Sequence, residues 1–164
     1  CSTRSIEVSQ MTMRRPRRVP PVLLTAAFAL LMWITSTVTP KLDIPLPPRA
    51  ALAFAFAAAG MFVMTVAVQG FRKQRTSVNP LDLTRTSAFV TTGVYRVSRN
   101  PMYLAMLLGL LALGCFLSNP ISVGIAVLFV PTITRLQIIP EERVLSGRFG
   151  SAYTTYCATV RRWI

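Results

Sequence analysis

An all-α, multi-pass membrane protein is the fold class this sequence predicts, with about four transmembrane helices, a helical hairpin in its second half and an amphipathic tail. Three observations lead there. The 164-residue chain is 52% hydrophobic, above the share usual in soluble domains. Its apolar residues gather into four runs, at 22–38, 50–68, 102–117 and 121–139, and the first three carry no charge. At 1.5 Å rise per residue such runs reach about 24 to 29 Å, close to the roughly 30 Å hydrocarbon core of a bilayer. Finally, of 18 basic residues all but Lys41 and Arg49 fall on one side of an alternating path across the membrane. The excess of basic residues in cytoplasmic loops then puts both termini and the polar loop in the cytoplasm. A net charge of +13 could also serve nucleic acid, but here the arginines flank apolar runs and form no patch on a soluble fold, so no nucleic-acid partner is expected.

In chain order, residues 1–21 form a polar and basic lead-in, with Met11 and Met13 as alternative starts and Cys1 as a conceivable lipid carrier. Residues 22–69 supply the first two spans, joined by the proline-rich connector "PKLDIPLPPR" on the outer side. Residues 70–164 make up the remainder: a long inner loop to Asn100, a hairpin at 102–139 and a tail at 141–164. A brief helix near 81–89 is the most regular structure the loop suggests. Ser118-Asn119-Pro120 is a tight turn, with Asn119 as N-cap and Pro120 at the first helical position. Ala105, Gly109 and Gly114 offer a small-residue face for close helix approach. Pro131 predicts a kink or a freed carbonyl within the fourth run. In the tail, Leu145, Phe149, Ala152, Tyr153, Tyr156 and Val160 recur at helical spacing, and a bend is expected near Gly147 and Gly150.

Histidine is absent from the chain. That excludes Ser-His and Cys-His nucleophile systems and histidine metal sites, and no metal is expected. Cys115 and Cys157 lie in a span and in the cytoplasmic tail, so no disulfide is expected.

A hairpin returns to its starting side, so residues before its first helix and after its second must meet. Arg99, Asn100 and Tyr103 at the entrance therefore converge with Arg135, Gln137, Glu141 and Glu142 at the exit. On a continuous helix Gln137 and Glu141 would share one face, as would Arg135 and Glu142. Such a cluster reads either as snorkelling arginines paired with helix-end carboxylates or as a pocket for a zwitterionic or charged ligand open to lipid.

"GVYR", "SRNPMYLA", an apolar hairpin and "PEERVLSGRFGSAYTTY", in that order over residues 77–164, resemble the isoprenylcysteine carboxyl methyltransferase family and its phospholipid methyltransferase relatives. The family pattern is Arg-His-Pro-x-Tyr-x-Gly, a hydrophobic stretch and Glu-Glu. This chain departs from it twice, with Asn100 in place of His and Ala105 in place of Gly. The resemblance implies an S-adenosylmethionine-dependent methyltransferase with its site at the cytoplasmic face, acting on a lipophilic acceptor, an isoprenylcysteine-type carboxylate foremost. It also implies that Tyr95, Arg99, Asn100, Pro101, Tyr103, Glu141 and Glu142 hold the donor, with Arg99 and Glu142 central to catalysis. Arg99 suits the donor's carboxylate, Glu141 or Glu142 its amino group or ribose hydroxyls, and Tyr95, Tyr103, Tyr153 or Tyr156 its adenine or sulfonium. An asparagine in the histidine position can orient a group but not shuttle a proton. Three alternatives stand beside this reading: a phospholipid N-methyltransferase, a nicotinamide-dependent membrane reductase of the steroid 5-alpha-reductase type, and a non-catalytic membrane scaffold.

Overall fold

The structure is a computed structural model and describes residues 19–73 and 91–164. The polar lead-in with Cys1, Met11 and Met13, and the brief helix expected at 81–89, lie outside the described residues. Helices α1 (Pro21–Val38), α2 (Leu46–Lys73), α3 (Pro101–Leu117), α4 (Pro120–Ile133) and α5 (Ile139–Thr159) account for most of the rest, with a short 3₁₀ turn at Gly93–Arg96 before α3. Among the described residues there is no strand.

Prolines begin these helices where a missing N–H costs nothing: Pro21, Pro101 and Pro120 each open one, and Pro47 and Pro48 occupy the first turn of α2. Helical stretches Pro21–Val38, Leu46–Gly70 and Pro120–Thr159 are long and apolar enough to cross a membrane, while the apolar α3 is slightly shorter. A helix bonds its interior backbone groups within itself, so such segments can lie in lipid. The chain is an integral membrane protein.

Hydrogen bonds at the two ends set the directions of the helices. Beyond α1, the Leu42 N–H donates to the Ser118 carbonyl (2.8 Å) and the Ser118 hydroxyl donates to the Leu42 carbonyl (2.9 Å). Asn119 caps α4 by accepting from the Ser122 N–H (2.9 Å), and its amide donates to Thr39 Oγ1 (2.7 Å). Ser118 itself takes the left-handed conformation, φ 52°, that closes the turn. At the opposite end the Gln137 amide donates to the carbonyl of Val19, just before α1. So α1 and α3 run one way and α2 and α4 the other.

Met32, Leu110, Leu117, Ala126, Phe129 and Ile133 form the buried core between α1, α3 and α4, with Phe28 edge-on to Phe129 at 5.4 Å. Leu30, Trp33, Phe54 and Phe62 point outward and are largely exposed, as lipid-facing residues are. Helix α2 packs closely on α3 because Gly60 lies under the Ala105 carbonyl, where an added Cβ would come to 3.1 Å. Of the expected small-residue face, Ala105 and Gly114 are buried in helix contacts, whereas Gly109 opens to free space.

Two irregularities shape the second half. Pro131 leaves α4 unbroken, and the disturbance falls beyond it, where Thr134–Ile138 form a π-helical turn in which the Ile139 N–H reaches back to the Thr134 carbonyl. A π turn places one extra residue in the helix and rotates everything after it. Further on, Gly150 adopts φ 53°, ψ −127° and breaks α5 into two arms, while Gly147 stays helical. Only glycine occupies that region without strain. The arm after Gly150 therefore folds back toward α3. Replacing it, as Gly150→Ala, is expected to destabilise the protein by about 1 to 3 kcal/mol, read as a lower thermal midpoint in detergent, although no neighbouring atom would crowd the new methyl.

Candidate functional site

The polar site occupies the end of the bundle where α3 begins, α4 runs into α5, and α5 folds back. Pro101, fully buried, starts α3 and puts Arg99 and Asn100 just outside its first turn, with Tyr103 inside it. Across the hairpin the π turn brings Glu141 and Glu142 round to face them. The Tyr103 hydroxyl donates to Glu141 Oε1 at 2.7 Å, and Arg99 Nη1 lies 3.3 Å from Glu142 Oε1. Arg99 and Glu142 are mostly buried, at 13% and 17% side-chain exposure, so this pair is better shielded from water than a surface ion pair.

The arm after Gly150 lies over this cluster. Tyr156 donates from its hydroxyl to the Tyr95 carbonyl at 2.6 Å, and Arg99 Nη1 also donates to the Cys157 sulfur. Residues 160–164 then run along the start of α3 as a strap. Arg99 donates its backbone N–H to the Arg161 carbonyl (3.1 Å), and the Asn100 side-chain amide donates to the Arg162 carbonyl (2.9 Å). Arg162 in turn grips Glu142 with two bonds, Nε to Oε1 at 3.0 Å and Nη2 to Oε2 at 2.8 Å. Trp163 closes the strap, its indole N–H donating to Thr134 Oγ1 at 3.3 Å.

Glu142 stands between two guanidiniums, with the Glu141 carboxylate next to it on Tyr103, and Arg99 Nε is buried with no partner. Its hydrogen bonds to Glu142 hold the Arg162 guanidinium above its already high pKa. Tyr95 is buried against Ala67 of α2 beside Val94 and Met102; that burial first, and then the nearby Tyr156, push its phenol well above the ordinary value. It remains neutral at physiological pH.

Arg99, Asn100, Tyr103, Glu141 and Glu142 thus meet as the fold-back predicts, with Tyr95, Tyr153 and Tyr156 beside them. Arg135 and Gln137 do not join. The π turn takes them out of register: Arg135 is exposed, and Gln137, 1% exposed, is committed to the Val19 carbonyl. Glu142 consequently pairs with Arg99 and Arg162, not with Arg135. Arg162, Cys157 and Trp163 are absent from the sequence-based site. The sequence signal nearest to them is Gly150, which permits a bend, and in the structure that bend brings "VRRWI" back to the carboxylates.

Together these features define an integral-membrane protein with a polar, charged site at one end of a helical hairpin. Residues 48–152 match the phospholipid methyltransferase family, and the chain belongs to that family. It is a membrane methyltransferase. An uncharacterized protein of Haemophilus influenzae is 40% identical to it over 63 residues, which cover 38% of this chain and all of that relative. No solved structure matches the chain.

Two substitutions probe the geometry. Tyr103→Phe removes a hydrogen bond to a carboxylate and is expected to cost about 1.5 kcal/mol, read as a lower thermal midpoint. Asn100→His introduces a ring that titrates near pH ~6.5, so its thermal midpoint should vary between about pH 6 and 8 where that of the parent protein stays flat.

Proposed function

We propose that the chain transfers a methyl group from S-adenosylmethionine to a lipophilic acceptor that approaches from the bilayer, at a site on the cytoplasmic side. Membership of the phospholipid methyltransferase family supports the reaction class, and the one observation that carries the site is the Arg99–Glu142 pair beside Tyr103–Glu141. The residues present suit the donor. Its amino-acid end bears a carboxylate and an ammonium, which match an arginine with a buried unpartnered Nε and a neighbouring pair of glutamates.

When bound, the donor supplies a methyl group made electrophilic by the sulfonium that carries it. Arg99 holds the donor's carboxylate, and Glu141 or Glu142 accepts from its amino group or ribose hydroxyls. Asn100 and Pro101 shape the edge of the site, and Tyr95, Tyr153 and Tyr156 give it aromatic walls. Displacement at the methyl carbon needs alignment and exclusion of water above all. The sidedness rests on the positive-inside distribution of arginines.

Two acceptor chemistries remain in view, each with its own support. An isoprenylcysteine-type carboxylate needs no general base, which suits a chain without histidine. A phospholipid amine agrees with the matched family and must first lose a proton, for which a glutamate is the available acceptor.

Calorimetric titration of the purified protein with S-adenosylmethionine is expected to show binding that Arg99→Ala and Glu142→Ala each reduce at least tenfold. Unchanged affinity in both variants would remove the site assignment, and stabilisation by a reduced nicotinamide cofactor instead would favour a reductase. Membranes given methyl-labelled donor then separate the acceptors, because a methyl ester releases its label in base and a methylamine keeps it.

A further inference from the structure

We infer that Arg162 is a second ligand-binding cation of the donor site, and that Glu142 acts as a clamp orienting Arg99 and Arg162 without itself touching the donor. This rests on the donor reading above and assigns roles within it. Both oxygens of Glu142 are taken by guanidinium groups: Oε1 by Arg99 Nη1 and Arg162 Nε, and Oε2 by Arg162 Nη2. A carboxylate so occupied has little left for a ligand's ammonium. The guanidiniums are not equally spent. Arg162 uses only its Nε and Nη2 edge, and among the described residues Arg162 Nη1 and Arg99 Nη2 have no protein partner, while Arg99 Nε is buried and unpaired.

The two guanidiniums therefore keep donors that Glu142 does not take, side by side, which suits them to a carboxylate. Depth grades the two cations. Arg162 is 39% exposed where Arg99 is 13%, so an incoming anion meets Arg162 first and Arg99 behind it. The strap's own bonds make Arg162 a placed residue and not a stray surface charge. The Arg161 and Arg162 carbonyls accept from the Arg99 backbone N–H and the Asn100 side-chain amide, and Trp163 is tied to the π turn through Thr134. Asn100 thereby gains a definite task, which is to position Arg162 through its backbone. Arg162 also lies beyond the residues 48–152 that match the family, so nothing in that match assigns it a role.

The test compares two nucleosides by calorimetry on the intact protein in detergent. S-adenosylhomocysteine keeps the amino-acid end of the donor, and 5′-methylthioadenosine lacks it. Arg162→Gln is expected to weaken S-adenosylhomocysteine at least tenfold while 5′-methylthioadenosine changes less than twofold, and Arg162→Lys, which keeps the charge and the pairing with Glu142, should fall between. Glu142→Gln, which loosens the clamp, should likewise spare 5′-methylthioadenosine. An equal loss for both nucleosides with Arg162→Gln and Arg162→Lys would make Arg162 a structural anchor only and overturn the inference. Tighter binding by the variants would overturn it too, by making the strap a competitor of the donor. If the parent protein binds neither nucleoside, the donor reading itself fails and this inference falls with it, an outcome distinct from one confined to the variants.

Discussion

A single carboxylate, that of Glu142, ties together three segments that the sequence keeps far apart. An unpaired charge at the edge of a hydrocarbon layer is costly, so Glu142 demands cations, and it finds them before α3 and after the fold-back of α5. Much of the rest follows from that demand. The helix carrying Glu142 must be turned to face Arg99, which the π turn accomplishes, and the chain carrying Arg162 must reverse, which Gly150 permits. The hairpin between α3 and α4 sets both partners at one level.

The two ends of that hairpin make an instructive contrast. At the turn, Ser118, Asn119 and Ser122 are neutral and buried, and their hydrogen bonds pair the loop after α1 and the Met32 carbonyl within the protein. Their work is complete within the fold. At the other end the groups are charged, partly exposed and more numerous as donors than as acceptors. Polar groups that fold a protein tend to be satisfied by it, and leftover donors beside an ion pair are what a ligand can use.

How much of this was legible beforehand depended on whether the information was local. Apolar run length placed the spans, and Asn119-Pro120 marked the cap of α4, because both are properties of neighbouring residues. The meeting of Arg99, Asn100 and Tyr103 with Glu141 and Glu142 followed from hairpin geometry alone. A regular helix would put Arg135 and Gln137 in the site, and the π turn takes them out of it. No residue near Pro131 announces that the extra residue is absorbed at Thr134–Ile138 and not at the proline. Arg162 was missed for a related reason: a glycine reveals that a chain can bend, but not how far it turns. Gly60 was equally silent, since its value lies in the approach of α3, a partner more than a loop away.

The π turn has a consequence for how this stretch of chain can change. Residues before it answer to the packing of α1 and α3, and residues after it answer to two arginines, although both belong to one helical stretch that runs from Pro120 to the break at Gly150. A uniform helix would couple the two, so that any rotation suiting the core would swing the carboxylates out of line. The wide turn works as a phase adjuster between them. Membrane-facing and core positions of α4 can vary with the lipid around them while the angular setting of Glu141 and Glu142 is held separately.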